Sequence, residues 1–564
     1  MPLARRRRAL RLPALLSALV LLATARISLG ADQRPPPPDP GRPSSLHLAP
    51  FTLSAQPPTS VTWRYTLDGS PPSRDTGLPW TGSLSVSNTT VLRLVGFAEG
   101  SPKPSHITTR TYVFPRQVLS QNGAGFPTTW GVREGHPVPA DYEMDPEIVG
   151  HPAYAADLGP ALTHLASLSL VMAPQDLFGA EHGIYTHPLE TGAEWERAAS
   201  IELLGDPQVT GPVDGGIRIQ GGWNRRPEES PKHAFRLAFR KRHGPAKWKQ
   251  PLFGPNPPVE FDDLILRAGC NNTWLHWKAE ERRHGDYLRD PWMRDTLAAM
   301  GHPSARGRFV HLYLNGLYWG IYQLTERPSA PFVAAHHGGE PEDYDVRNGS
   351  NPIEGDGRAW DQLMRLVETA PADASALEEI GRLVNLAQLA DYILLNLYGA
   401  NGDLDGGSNW YAARRHRPPG PFVFFVWDGE RTLEDPQAST LSEDPESSPL
   451  RLFQRLRQHP GFRRLFAERA RRHLEGDGAL TPRAAAARYE TLARTLDPAV
   501  VAESARWGDY RRDAHPYKVG PYELYTRDDH WRPEVQRLLQ HFFPQRTAVL
   551  REQLRAAGLY AESP

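Results

Sequence analysis

Acidic and amide side chains are concentrated in two short stretches that could hold a cation. The first, Asn401–Tyr411, places two acids and an asparagine in a glycine-rich turn after an apolar segment. The second, Trp427–Glu430, ends an apolar run with an acid, a glycine and another acid. Magnesium prefers carboxylate and amide oxygens, and one further carboxylate could position a hydroxyl for attack on a phosphoryl group. The alternative is that these acids only cap turns. The candidates are Asp403, Asp405, Asn409, Asp428 and Glu430.

A glycine pair and a lysine form a second candidate site. Gly221 and Gly222 lie between two strand-like segments, where backbone N–H groups can approach an anionic ligand. Lys232 follows, and it carries weight because the chain has only seven lysines. Glu326 ends another strand-like segment and could pair with Lys232. Taken alone, glycines between strands usually make a hairpin, and an acid at the end of a strand is more often simply exposed.

The elements that would position these residues change in type along the chain. Short apolar and alternating segments predict strands at 168–172, 216–220, 234–240, 309–315 and 318–324. From residue 358 onward, apolar residues at three- and four-residue spacing predict helices at 360–369, at 376–401 and after 449, with a buried strand at 422–427. A β-rich half followed by a helix-rich half predicts an α+β fold, as a two-lobed nucleotide-handling enzyme would show.

The amino terminus has the pattern of a targeting segment. Arg5–Arg8 and Arg11 precede a mostly apolar run at 12–25, which predicts a signal peptide over 1–31 and an exported protein at the cell surface, in the periplasm or outside the cell. An uncleaved anchor is the alternative, and no later apolar run is long enough to span a membrane. Residues 32–43 are proline-rich and predict a linker. Residues 44–116 predict a small all-β sandwich.

Composition narrows the class of protein. The 64 basic and 65 acidic residues give a formal net charge of -1, so no nucleic-acid partner is expected. Hydrophobic residues make up 39% of the chain, which is enough for a sizeable core. The one cysteine, Cys270, excludes an intramolecular disulfide and a cysteine-rich zinc site, and we interpret it as a small buried residue.

Four pieces of the sequence, taken in order, resemble the CotH family of atypical protein kinases. They are Gly216–Gly222 with Pro231–Arg236; Leu312–Gly316 with Tyr318–Tyr322 and Glu326; Asn401–Tyr411; and Trp427–Asp428. The resemblance implies a two-lobed protein-kinase-like domain over 117–480, completed by a helical part over 481–564. It also implies transfer of the γ-phosphate of ATP to Ser or Thr of surface or coat proteins, with Mg²⁺ or Mn²⁺.

The resemblance also implies roles for the candidate residues. Lys232 would contact the nucleotide phosphates beside Gly221 and Gly222, and Glu326 would orient that lysine. Asp403 would be the catalytic-loop acid near the acceptor hydroxyl, with Asp405 as the other candidate base. Asn409 and Asp428 would hold the metal, and Glu430 would supply a further oxygen.

Two departures from the family pattern bear on these roles. The residue between the two loop acids is Leu404 where the family often has an aromatic, so either Asp403 or Asp405 could be the base. The later loop reads Trp-Asp-Gly-Glu where the family often has Trp-Asp-x-Asp. Glu430 therefore reaches further than an aspartate would.

The amino-terminal strands resemble a second known module. Tyr65–Pro72 with Ser105–Phe114 is similar to the β-sandwich named after the carboxy-terminal domain of chitobiase. This resemblance implies an accessory or spacer unit. Glycan binding through Trp63 or Trp80 is the functional alternative to those rings forming core.

Three functions remain open from the sequence. The first is an exported metal-dependent protein Ser/Thr kinase. The second is a catalytically degenerate scaffold of the cell surface or coat, which the altered metal pattern and the export signal favour. The third is a glycan-active protein, because Asp403 and Asp428 could meet the spacing of a glycosidase carboxylate pair.

Overall fold

The computed structural model describes residues 34–404, 407–516 and 520–560. The predicted signal peptide (1–31), the start of the linker and Asp405 lie outside the described residues. Helices and strands are mixed through the described part, which confirms the α+β class. No helix within the described ranges is both long and apolar enough to cross a membrane.

Two small sheets at the amino terminus share one hydrophobic core. Trp63 and Trp80 lie in this core at 6% and 7% exposure, with ring centroids 6.1 Å apart. They therefore offer no open ring face to a glycan. The sheets have the orders β1-β7-β6-β3-β4 and β2-β5. Their strands are β1 (Ser45–Leu46), β2 (Phe51–Ser54), β3 (Val61–Thr66), β4 (Leu78–Pro79), β5 (Ser83–Val86), β6 (Thr90–Ala98) and β7 (Thr108–Val113).

A closed seven-stranded barrel follows, in the order β10-β11-β12-β13-β16-β18-β17. Its pairings are antiparallel except for β10 with β17. Alternation along β13 buries Phe235 and Leu237 inside the barrel, as the sequence pattern predicts. Its strands are β10 (Ser167–Val171), β11 (Arg197–Leu204), β12 (Val213–Gln220), β13 (Ala234–Ala238), β16 (Asp263–Arg267), β17 (Gly307–Leu314) and β18 (Leu317–Thr325). Two short hairpins are β8 (Thr129–Arg133) with β9 (His136–Pro139) and β14 (Trp248–Lys249) with β15 (Glu260–Phe261).

The second half is helical around a four-stranded sheet of order β20-β19-β21-β22. The helix predicted over 376–401 is two helices, because Asn385 caps a new one through its Oδ1, which accepts the N–H of Gln388. The strands are β19 (Tyr344–Asn348), β20 (Asn351–Glu354), β21 (Trp410–Arg415) and β22 (Val423–Val426).

The α-helices of the described residues begin after the amino-terminal sheets and continue to Ala556. They are α1 (Pro115–Val118), α2 (Pro146–Val149), α3 (Leu158–His164), α4 (Pro174–Phe178), α5 (Ala279–Arg283), α6 (Arg289–Ala299), α7 (Ala330–His337), α8 (Arg358–Thr369), α9 (Ala374–Leu383), α10 (Leu386–Gly399), α11 (Pro449–Leu456), α12 (Pro460–Leu474), α13 (Pro482–Trp507), α14 (Tyr510–Asp513), α15 (Arg532–Arg537) and α16 (Phe543–Ala556).

Helix α13 connects the two halves. Its first part lies in the helical core, where Tyr489 is fully buried. Its last part reaches the barrel, and Trp507 packs among barrel residues such as Trp319. The segment predicted over 481–564 is therefore continuous in packing with both halves.

Candidate functional site

A cleft of about 600 Å³ lies between the barrel and the helical half. This volume is within the range of small-molecule sites. The barrel contributes the loop after β12 and the loop after β16, and the helical half contributes the loops after α10 and β22. The cleft brings together most of the sequence-predicted site residues: Gly221, Gly222, Asp403, Asn409, Asp428 and Glu430.

The loop after α10 holds Asp403 by its own side-chain bonds. Ala400 ends the helix in the left-handed conformation, and the N–H of Asp403 then donates to Asn401 Oδ1 at 3.0 Å. Asn409 Nδ2 donates to the Asp403 carbonyl oxygen at 3.0 Å, which closes the loop. Leu404, 1% exposed, anchors the same loop in the helical core. Leu404 thus packs in the core at the position where the family often has an aromatic residue.

Asp428 follows β22 in a strained backbone conformation. Its φ is 56°, a region that residues other than glycine seldom occupy. The next N–H, that of Gly429, donates to Asp290 Oδ1 at 3.0 Å and fixes the turn. Such strain concentrates at functional sites, where the surrounding structure holds it in place. The turn directs the Asp428 carboxylate into the cleft.

Arg267, at the end of β16, contacts the carboxylates of the β22 loop. One guanidinium nitrogen, Nη2, lies 2.5 Å from Asp428 Oδ1 and 2.8 Å from Glu430 Oε1. Nε lies 3.4 Å from Asp290 Oδ2. Three acids thus surround this arginine in a largely desolvated place. Burial raises the pKa of Glu430 to about 7, because desolvation together with Asp428 and Asp290 outweighs Arg267.

Glu430 is bonded to the loop that follows β16. Its Oε2 accepts the N–H of Cys270 at 3.2 Å and that of Asn271 at 3.0 Å. Its main-chain oxygen accepts Asn272 Nδ2 at 2.7 Å. The two halves are therefore joined across the cleft at this point.

The glycine loop after β12 requires glycine at its first position. Gly221 has φ +121°, and a Cβ there would lie 1.9 Å from Asn224 Oδ1. Arg225 is buried beneath the loop and donates to the Gly221 carbonyl at 2.6 Å and the Ile219 carbonyl at 2.5 Å. The loop is thus a shaped edge of the cleft, with Gly222 exposed at its surface.

A family model described as CotH kinase protein matches residues 217–550, which is more than half of the chain. This chain belongs to the CotH kinase family. The matched region runs from β12 to α16 and contains every cleft residue named above. No curated protein matches the chain significantly.

Lys232 lies outside the cleft lining in this CotH-family chain, and its predicted pairing with Glu326 is wrong. Lys232 is 2% exposed, and its Nζ lies 2.5 Å from Glu503 Oε1 on α13. It also donates to the Ile321 carbonyl at 2.7 Å. Burial lowers the pKa of Lys232, and the Glu503 carboxylate opposes that shift. Glu326 instead accepts from Arg306 at 2.8 Å and lies 3.3 Å from His336.

Sequence reasoning did not find Arg267, Asp290 or Glu503. Arg267 lies in the segment 266–274, and two asparagines of the same segment, Asn271 and Asn272, also contact Glu430. Glu503 and Asp290 lie within helices, where an acid usually indicates only a solvated face. Their burial, 1% and 3% exposed, follows from tertiary contacts alone.

The cleft suits a hard cation that arrives with a phosphate ligand. Among the described residues, no three His, Cys, Asp or Glu side chains form a ready-made metal cluster. Magnesium is commonly held by one or two carboxylates together with substrate phosphates and waters, so a preformed cage is not required. Asp428 and Asn409 supply oxygen donors to the cleft lining, which also includes the glycine loop.

Proposed function

We propose that this CotH-family protein transfers the γ-phosphate of ATP to a Ser or Thr hydroxyl of an exported surface or coat protein, with Mg²⁺ or Mn²⁺. One observation carries the proposal. A single cleft is lined both by a loop that requires glycine at Gly221 and by Asp403, Asn409 and Asp428. This combines a phosphate-approach edge, a candidate base and oxygen donors for a cation, which are the parts that phosphoryl transfer uses.

The chain's own residues would bind and orient the nucleotide. Gly221 and Gly222 let backbone approach the phosphates without side-chain interference. Asn409, oriented by its bond to the Asp403 carbonyl, and Asp428, oriented by its strained turn, would hold the cation. When bound, that cation neutralises phosphate charge. Glycine-loop backbone and these oxygens thus act on the same phosphates.

Asp403 would act on the acceptor. Its backbone is fixed by Asn401, so the carboxylate has a defined place in the cleft from which to accept a hydrogen bond from a Ser or Thr hydroxyl. As the hydroxyl oxygen bonds to the γ-phosphorus and the β–γ bridging bond breaks, the hydroxyl proton passes to this carboxylate. Asp405 remains the second candidate base and lies outside the described residues.

The buried Lys232–Glu503 pair lies apart from the cleft lining and does not carry the nucleotide assignment. Protein kinases join a strand lysine to a helix glutamate, and this ion pair sets the position of the helix. Here the lysine immediately precedes barrel strand β13 and the glutamate is on α13. We propose that this pair stabilises the contact between the barrel and α13.

Export remains part of the proposal and rests on the sequence of residues 1–31. A protein acceptor at the cell surface or in the envelope follows from it.

A catalytically degenerate scaffold is the second candidate, and one observation favours it. Arg267 lies 2.5 Å from Asp428 Oδ1, so a positive charge already occupies the side of that carboxylate where a cation would bind. If Arg267 holds Asp428 permanently, the cleft has no acidic end for a metal–nucleotide complex.

Mass spectrometry of the protein from residue 32 onward, incubated with ATP and Mg²⁺ or Mn²⁺, separates the two candidates. A gain of phosphate is expected for the wild type and for Asp477→Ala, which changes an exposed acid that does not line the cleft. No gain is expected for Asp428→Ala. A gain of phosphate in Asp428→Ala would contradict the assignment of that residue.

The scaffold candidate makes the opposite prediction for nucleotide binding. A ligand that binds the folded state must raise its stability. No change in melting temperature with ATP and Mn²⁺, together with no phosphorylation of added envelope proteins, would favour the scaffold. A gain of a nucleotide-sized mass would retain the cleft and change the reaction to nucleotidyl transfer.

A further inference from the structure

Glu430 makes more bonds across the cleft than to anything within its own half. Its side chain is 14% exposed, and its two carboxylate oxygens accept one guanidinium and two backbone N–H groups, all from residues 267–271. A carboxylate offers about four lone-pair positions, so three donors nearly saturate it. Little capacity remains for a metal.

The loop that receives Glu430 is shaped to present those N–H groups. The consecutive N–H groups of Cys270 and Asn271 both donate to Glu430 Oε2, and the next residue, Asn272, has φ 51°. The Asn272 side chain then donates to the Glu430 carbonyl, and its own N–H donates to Glu281 Oε2 at 3.1 Å. Side chain and backbone of Glu430 are thus held by one loop.

The length of the Glu430 side chain matters for this contact. An aspartate would be one methylene shorter, about the length of one C–C bond, roughly 1.5 Å. With the backbone held by Asn272, its carboxylate would stop short of N–H groups that Glu430 meets at 3.0 and 3.2 Å. Glutamate at this position therefore connects the two halves, and its carboxylate is held away from the place proposed for the cation.

We propose that Glu430 is a positioning residue that joins the β22 loop to the β16 loop, and that it supplies no oxygen to a metal. This replaces the sequence-based expectation of Glu430 as a ligand. The metal part of the proposal rests on the function proposed above and implies that this cleft takes one divalent cation with the nucleotide. The connection between the loops stands independently of that function.

Two measurements on the full exported chain test the proposal. Hydrogen exchange followed by mass spectrometry reports the peptide covering 268–272. Electron paramagnetic resonance counts Mn²⁺ bound in the presence of a non-hydrolysable ATP analogue. Glu430→Gln, Glu430→Asp and Asp428→Asn are compared with the wild type, and the two Glu430 variants guard against a failure of either one to fold.

The expected results distinguish a Glu430 that positions the two loops from a Glu430 that binds the metal. Exchange in 268–272 should be at least tenfold faster in Glu430→Asp, whose carboxylate stops short of the N–H groups, and unchanged in Asp428→Asn. The increase should be smaller in Glu430→Gln, whose amide oxygen can still accept those N–H groups. Wild type and Glu430→Gln should each bind one Mn²⁺ with an uncoupled spectrum, and Asp428→Asn should lose it. A spin-coupled Mn²⁺ pair in the wild type that becomes a single ion in Glu430→Gln would overturn the proposal, as would unchanged exchange in both Glu430 variants.

Failure of the proposed function would look different. Wild type that binds no Mn²⁺ with the nucleotide analogue would remove the metal-dependent kinase. The exchange measurement would still decide whether Glu430 joins the two loops.

Discussion

Replacing Lys232 by methionine should destabilise the protein strongly. The substitution keeps an apolar chain of similar length but leaves Glu503, 1% exposed, as an unpaired buried carboxylate. Removing one partner of a buried ion pair costs about 3–5 kcal/mol. Because 1.36 kcal/mol is a factor of ten, the folded fraction should fall by about two to three and a half powers of ten relative to the unfolded fraction. The Ile321 carbonyl also loses its donor, which places the effect toward the upper end.

Two further variants make this measurement specific. Glu503→Gln added to Lys232→Met removes the orphan charge and keeps an acceptor for the N–H of Ile321, so most of the loss should be recovered. Lys249→Met breaks an exposed pair with Glu260 at 2.9 Å and should leave stability unchanged. Urea unfolding followed by tryptophan fluorescence gives the free energies.

Nucleotide binding by the double variant decides what Lys232 does. Because Lys232 does not line the cleft, ATP should still stabilise the double variant as it does the wild type. If stability is recovered but ATP binding is lost, Lys232 reaches the phosphates and the structural argument is refuted. If Lys232→Met alone unfolds no more easily than Lys249→Met, the buried pair contributes nothing and the argument also fails.

Three other predictions follow from single positions. Gly221→Ala places a Cβ against Asn224 at a positive φ, so it should lower the free energy of unfolding by about 1–3 kcal/mol and weaken ATP binding. The control Gly222→Ala has open space around the added Cβ and should unfold in urea like the wild type. Burial and nearby acids raise the pKa of Asp509 to about 8, so ionised Asp509 destabilises the folded state increasingly as pH rises from about 4 to 8. Asp509→Asn should remove that part of the pH dependence and should unfold at a higher urea concentration than the wild type at pH 8. An unaltered pH profile of stability would contradict this. Asp391 is fully buried among two histidines and an arginine that hold its pKa well below its usual range, so Asp391→Asn should cost about 3–5 kcal/mol at neutral pH. This cost should shrink only as pH falls below about 4 toward the lowered pKa of the folded state, and a cost in calorimetry that does not change with pH would contradict the argument.

Local sequence patterns predicted the elements that depend on local chemistry. Short apolar and alternating segments at 234–240, 309–315 and 318–324 predicted strands β13, β17 and β18, because a strand's burial pattern repeats within a few residues. Asp403 and Asp428 were predicted because each lies in a glycine-containing loop directly after an apolar segment. That pattern can be recognised from neighbouring residues alone. The break at Asn385 was missed because apolar spacing continues across it.

Partner choice between distant charges could not be predicted in the same way. The sequence contains 65 acidic residues that could pair with Lys232, and Glu326 was predicted because it ends a strand in the same half. The structure gives it Glu503 instead, because α13 enters the barrel junction and Arg306 already neutralises Glu326. Glu430 was assigned from its neighbours in sequence, whereas its actual contacts come from a loop about 160 positions earlier.

The position of α13 has a consequence for the order in which the chain can mature. Lys232 and Glu503 are 271 positions apart, so the barrel strands exist long before the acid that neutralises their buried lysine is synthesised. Until α13 arrives, Lys232 must stay hydrated, and the strands around it cannot close completely. Contacts of such long sequence separation form late and slowly. A nascent or truncated chain ending before residue 482 should therefore be an open, aggregation-prone intermediate that depends on chaperones.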